Sequence, residues 1–260
     1  MKTVQDVANG RFSIEMQVCG SGEPLLYLHG AGGLMGADPF LEQLGAGFKV
    51  YAPYFPGYGE STGGEFIDDV IDAGLFYHAL MDELGISSAY VVGHSMGGML
   101  AAELAALDVH RAKKLVLVAP AGFWLDEHPI PDVFAMELPD LAAHLFHDPT
   151  SPAARAFATI PADPEQLADM YVERVKRLTA ASKFLWPIPD RGLEKRAYRI
   201  AVPTLLLWGA SDRLIPPVYA GEFKSRIKDT RLQTIKDAGH LPMYEQQAEF
   251  CTAVRDFLKG

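Results

Sequence analysis

A β-rich run, Ala89-Tyr90-Val91-Val92, passes through Gly93-His94-Ser95-Met96-Gly97-Gly98 into a helix of small residues that ends near Leu107. A strand that turns at once into a helix tolerates only small neighbours at the turn. Side chains two positions either side of the apex would strike the adjoining backbone. Gly93 and Gly97 meet that demand, and Ser95 stands at the apex. There it is pushed out above the sheet at a helix N-terminus, where the dipole favours nearby negative charge. Gly-x-Ser-x-Gly alone also occurs in ordinary glycine-rich turns. The strand before it and the alanine-rich helix after it point to a turn that presents a nucleophilic serine.

Strands and helices alternate on either side of this turn. Residues 11–18 place Phe12, Ile14, Met16 and Val18 on one face, a half-exposed strand. The unbroken apolar run at 25–28 suits a strand buried on both faces, 114–119 is another buried strand, and 48–52, 203–209 and 231–235 are further strands. Helical spacing marks 39–44, 68–84, 218–227 and 243–258. The pattern predicts an α/β fold, a mostly parallel sheet with helices on both faces. The first two strands, joined through Gly20-Ser21-Gly22, are expected to run antiparallel. Between 123 and 198 no strand-like run occurs; prolines separate helical patterns at 138–146 and 164–182. The chain therefore divides into a core, 1–122 and 199–260, and a helical insertion, 123–198. An excursion of roughly 75 residues in a compact fold reads as a lid over a site.

Bulk properties exclude several classes. A chain of 260 residues can bury a substantial core. The net charge of −10 argues against nucleic acid or an anionic membrane surface, which call for a basic patch. Cys19 and Cys251 are the only cysteines, which rules out a disulfide framework or thiolate cluster; free thiols are expected, although one bridge between them stays open. The first ten residues lack the apolar centre of a signal peptide, and no run approaches the roughly 18 apolar residues of a membrane span. The expectation is a cytoplasmic monomer or homodimer acting on a small molecule.

A serine hydroxyl needs a base, and the base needs an orienting acid. In the chain order serine, acid, histidine, Asp212 follows the strand 203–209 in Trp208-Gly209-Ala210-Ser211-Asp212. His240 follows the last strand in Asp237-Ala238-Gly239-His240-Leu241-Pro242. Catalytic groups of parallel sheets gather at the carboxyl ends of the strands, so all three tips converge. Asp126 is a rival acid, and Asp212 also fits a turn or helix cap. Asp237 precedes His240 in the same loop and approaches the ring from the wrong side. His29 is expected to brace its glycine loop and His94 to pack beneath the serine. His144 and His147 are three apart but lack further metal ligands, so no metal and no cofactor is expected. A developing oxyanion needs two preset backbone amides; Met96, just after the serine, offers one and Ala31 the other, with Gly32 as substitute. Gly32, Phe123, Trp124, Trp186 and Leu241 are the candidate pocket residues, with Phe184 and Leu185 beside Trp186. The aromatic residues of the insertion could equally form its own core.

With these motifs together, the chain resembles the α/β-hydrolase superfamily over nearly its whole length. The resemblance rests on His29-Gly30-Ala31-Gly32-Gly33, Pro56-Gly57-Tyr58-Gly59-Glu60-Ser61, the turn at Ser95, and the segments carrying Asp212 and His240. It implies a helical cap, here 123–198, and a carboxylic ester hydrolase working through an acyl-enzyme. Haloalkane dehalogenases and soluble epoxide hydrolases carry an aspartate where this chain has Ser95. Carbon–carbon bond hydrolases of ring-opened aromatic diketo acids are similar, but often carry tryptophan where this chain has Leu241. Their cap arginine has no single match among Arg155, Arg174, Arg177 and Arg191. Cofactor-free perhydrolases and hormone receptors of limited turnover complete the alternatives.

Overall fold

The computed structural model describes residues 2–36 and 38–260; Met1 and Ala37, both within the expected core segment, lie outside the described residues. Among the described residues, eight strands form one sheet in the order β1-β2-β4-β3-β5-β6-β7-β8. They are β1 (Lys2–Val7), β2 (Phe12–Cys19), β3 (Pro24–Leu28), β4 (Lys49–Pro53), β5 (Ala89–His94), β6 (Ala112–Val118), β7 (Thr204–Gly209) and β8 (Thr230–Ile235). From β4 to β8 across the sheet every neighbouring pair is parallel, while β1 and β2 are an antiparallel margin.

The strands nearest the centre read as apolar runs because both faces are covered. All of β7 is buried, as are Leu115 to Val118 of β6. Helices α1 (Pro39–Gly45) and α9 (Gln247–Lys259) touch on one side; α2 (Val70–Glu83) and α3 (Met96–Leu107) touch on the other. Right-handed crossovers require this. The path from β3 to β4 runs one way along the sheet and that from β4 to β5 runs back, so α1 and α2 fall on opposite faces. The Asp69 side chain starts α2 by accepting from the Ile71 and Asp72 amides.

Three expectations about elements need correction. The first two expected strands, β2 and β3, run in opposite directions but are not neighbours, since β4 lies between them. The expected helix at 218–227 is a 3-10 turn, Pro217–Tyr219, followed by α7 (Ala220–Arg226). The expected closing helix is broken at Gln246 into α8 (Pro242–Glu245) and α9. Strand β1 was not legible in the polar start of the chain, because its ladder partner is β2, not a local pattern.

Between β6 and β7 lie α4 (Leu138–Leu145), α5 (Pro152–Ala158) and α6 (Pro164–Leu185). Asp163 caps α6 by accepting from the Glu165 and Gln166 amides, with Pro164 at the position that needs no donor. Cys19 and Cys251 are free thiols. No helix among the described residues is long and apolar enough to cross a membrane.

Candidate active site

The chain runs from β3 to β4 on one side and then places β5 on the other side of β3, so the loops after β3 and β5 part at a topological switch point. In parallel sheets that is where a crevice opens. The loop after β3 begins at His29 and the turn after β5 carries Ser95, and the register pairs Leu28 with Gly93. The two loops touch: a Cβ on Gly30 would lie 3.2 Å from the Ser95 Cβ.

Ser95 has φ 54° and ψ −117°, a conformation that non-glycine residues rarely hold. Its surroundings impose it. The Ser95 amide donates to the Val118 carbonyl at 2.9 Å, and its own carbonyl accepts from Gly98, Met99 and Ala121. A Cβ on Gly97 would lie 2.2 Å from the Leu28 carbonyl oxygen, and one on Gly93 would lie 2.3 Å from that of Gly97. No side chain fits at either position.

Asp212 and His240 meet beyond the carboxyl ends of β7 and β8. The Asp212 Oδ1 accepts from the Leu214 and Ile215 amides, each at 2.9 Å, and Oδ2 accepts from His240 Nδ1 at 2.8 Å. Because Nδ1 keeps its proton and donates it in a hydrogen bond to the carboxylate, Nε2 of the neutral ring holds the lone pair. Nε2 is buried and, among the described residues, has no hydrogen-bond partner. His240 and Ser95 line the same cavity. The backbone of His240 is held on both sides: its amide donates to Leu145 at 2.7 Å, and its carbonyl accepts from His94 Nε2 at 2.8 Å. The two rings lie 4.8 Å apart. Burial, and then the neighbouring His240 ring, hold His94 well below the usual histidine range. His94 thus lies under His240 and positions it. Asp126 accepts instead from the Trp124 indole, and Asp237 stands 3.7 Å from His147.

The loop from His29 to Gly33 is braced from below. His29 Nδ1 donates to the Gly30 carbonyl at 2.7 Å, and Nε2 accepts from the Phe55 amide at 3.0 Å. Burial lowers its pKa to about 4. Gly33 donates to Gly30 across a turn at 3.0 Å, and this bond uses neither the Ala31 nor the Gly32 amide. Met96 opens α3, where the helix supplies its first amides with no acceptor. The Tyr58 hydroxyl lies 3.0 Å from the Ala31 carbonyl and 3.1 Å from that of Arg177, and the Arg177 guanidinium donates to Gly32 at 3.1 Å. Arg177 therefore joins α6 to the glycine loop, a contact between segments far apart in the chain that no local pattern reveals.

Two chambers meet at Ser95. The wide one, of about 650 Å³, lies between the glycine loop, α4, α5 and α6. The narrow one, of about 40 Å³, lies toward Ala121, Ile130, Leu185 and Ile215; Ser95, Val133 and Leu214 line both. Gly32 and Leu241 line the wide chamber. Contrary to expectation, Phe123, Trp124 and Trp186 line neither. Phe123 is buried against Phe223, with ring centres 4.6 Å apart. The Trp124 indole is engaged by Asp126. Trp186 is 56% exposed, because α6 ends at Leu185 and the extended residue after it turns outward. Of its neighbours, Phe184 packs on Phe55 and only Leu185 reaches a chamber. The wide chamber is walled instead by Leu138, Leu141 and Leu145 of α4 and by one face of α6, including Met170, Arg174 and Arg177. The i, i+3, i+7 spacing on α4 was a visible signal for an apolar face, though not for what it covers. Among the described residues, no group of three His, Cys, Asp or Glu side chains is gathered to hold a metal.

A mostly parallel sheet with this switch point and a helical insertion between β6 and β7 defines the class. The chain belongs to the α/β-hydrolase fold family, whose model its residues 23–247 match. It is a hydrolase, and its relatives include proteins named as lipases, esterases and hydrolases. It is 30% identical over 247 residues to lipase 3 of Moraxella sp. (strain TA144), covering 92% of this chain and 78% of that one. It is 28% identical over 275 residues to the 2-hydroxy-6-oxo-6-phenylhexa-2,4-dienoate hydrolase of Comamonas testosteroni, covering 95% and 92%. In fold it is similar to an esterase from Rhodococcus sp. ECU1013, with a TM-score of 0.77 at 20% identity over 100% of this chain and 98% of that one.

Proposed function

We propose that the chain is a carboxylic ester hydrolase in which Ser95, His240 and Asp212 act as a catalytic triad under the helical insertion. The observation that carries the reading is His240 Nε2: buried and unpartnered, on a residue that lines the same cavity as Ser95 while its Nδ1 is anchored on Asp212. A buried polar atom without a partner costs stability unless a ligand or a reacting group uses it.

Ser95 Oγ attacks the ester carbonyl carbon as Nε2 takes the hydroxyl proton, and Asp212 stabilises the resulting imidazolium. The Ala31 and Met96 amides receive the charge that forms on the carbonyl oxygen. The carbon–oxygen bond to the alcohol then breaks, and Nε2 returns the proton to the departing oxygen. Water repeats the cycle on the acyl-enzyme, releasing the acid and restoring Ser95.

Intact mass after reaction with a fluorophosphonate tests this. Wild type is expected to gain one adduct and to turn over p-nitrophenyl acetate. Ser95→Ala is expected to fold, take no adduct and lose turnover by at least 1000-fold. Near-normal turnover in that variant would sink the assignment.

One observation favours a second reading. Arg174 and Arg177 line the wide chamber, beside Asp169 and Glu173, and Arg155 and Arg191 do not, so two guanidinium groups stand in the wall of the chamber that an acid-bearing diketo substrate would enter. Carbon–carbon bond cleavage of such an acid, without p-nitrophenyl ester turnover, would establish it.

A further inference from the structure

The two chambers assign the two ends of the substrate; this rests on the roles of Ser95 and His240 given above. Once Ser95 Oγ bonds to the carbonyl carbon, three groups remain on that carbon. The oxyanion faces the Ala31 and Met96 amides. The departing oxygen must lie within hydrogen-bond reach of His240 Nε2, because that atom hands it the proton. His240 and its neighbour Leu241 line the wide chamber, and neither lines the narrow one. The alcohol attached to the departing oxygen therefore occupies the wide chamber. The acyl chain takes the direction left over, toward Ala121, Ile130, Leu185 and Ile215.

The sizes differ by more than tenfold, about 40 Å³ against about 650 Å³. The narrow chamber holds roughly three water-sized spheres, enough for the carbons of an acetyl or propionyl group. The wide one falls in the range that encloses a drug-sized molecule. Its wall combines the apolar Leu138, Leu141 and Phe157 with the ionic Glu173 and Arg177. We infer that the substrate is a short-chain ester, acetyl or propionyl, of a bulky alcohol that is largely apolar and carries hydrogen-bonding groups. Hydrolysis moves the acyl group from the alcohol oxygen to Ser95 Oγ and then to water, with the proton carried by Nε2 at each stage.

Two isomeric esters separate this orientation from its reverse. 2-Phenylethyl acetate and methyl 3-phenylpropanoate contain the same atoms and the same phenethyl arm, with the ester turned around. The purified chain is expected to show a kcat/KM at least tenfold higher for the acetate. An equal or faster reaction of the methyl ester overturns the inference and leaves the hydrolase reading standing. Among 2-phenylethyl esters, hexanoate is expected to fall at least tenfold below acetate. In Ile130→Ala, which widens the narrow chamber from a half-buried position, the hexanoate-to-acetate ratio is expected to rise at least tenfold. The ratio is independent of how much variant folds, and an unchanged ratio overturns the inference. A fluorophosphonate adduct without turnover of either ester overturns the substrate class alone. Absence of both adduct and turnover brings down the hydrolase reading and this inference together.

Discussion

Asp212 uses its two oxygens for different tasks, and this makes its replacement informative. Oδ1 accepts from two backbone amides and Oδ2 from His240 Nδ1. In Asp212→Asn the amide oxygen keeps the two backbone donors, so the NH2 group is forced toward the ring. Nδ1 must then accept, Nε2 must carry the proton, and no lone pair faces Ser95. The expected loss in kcat/KM is about 10³- to 10⁴-fold. Thermal unfolding is expected to stay close to wild type. Steady-state ester kinetics alongside a melting curve check both, and a loss below tenfold would remove Asp212 from the orienting role.

At the scale of elements, the helix that Ser95 begins is tied to the chain returning from the insertion. Glu103, fully buried on α3, accepts from Arg196 Nε at 2.6 Å and from Nη2 at 2.7 Å. The pairing raises the Arg196 pKa above its usual value. Removing the arginine strands a buried carboxylate, which costs far more than the pair itself contributes. Arg196→Ala is expected to lower the free energy of unfolding by about 3–5 kcal/mol in urea titrations. The double variant Arg196→Met with Glu103→Leu is expected to recover most of the loss. A single variant of wild-type stability would show that the carboxylate finds water or is protonated at little cost. The Tyr244 hydroxyl of α8 similarly donates to the buried Asp38, just before α1, which also accepts from Gln17 of β2.

For the molecule as a whole, the buried histidines give a direction to acid sensitivity. His29 falls from the usual 6.5 to about 4 on burial, and His94 is lowered for the same reason. Below 6.5 the unfolded chain binds protons that the folded chain refuses, so stability rises with pH in that range. The His29 contribution is fully present above about 6.5, is lost as pH falls toward 4, and changes no further below that. For His29 alone the loss is about 3 kcal/mol across the window. Glu245, a half-buried carboxyl held above its usual range by burial, works in the opposite sense toward the acid end. The urea midpoint is expected to drop between pH 7.5 and pH 5, and to drop less in His29→Gln. Equal midpoints at the two pH values would contradict the account.

The parallel strands were legible in the sequence because a strand covered on both faces is apolar on both, as at 25–28 and 205–208. The turn at Ser95 was legible because Gly93 and Gly97 answer steric demands made within a few residues. Asp212 and His240 were legible by their place just past strand ends, where parallel sheets expose their loops. The chambers were not. Phe184 points inward and Trp186 outward because α6 stops between them, and neither aromatic character nor spacing states where a helix will stop. The walls of the wide chamber belong to faces of α4 and α6 whose periodicity is plain, but which acquire their meaning when those helices dock over Ser95. The pairing of β1 with β2, the place of β4 between β2 and β3, and the grip of Arg177 on Gly32 likewise join residues distant in the chain. Sequence alone determined what the backbone's local sterics and two-sided burial dictate; tertiary structure decided what packing between remote segments dictates, because no single segment carries the energy of a contact it shares with another.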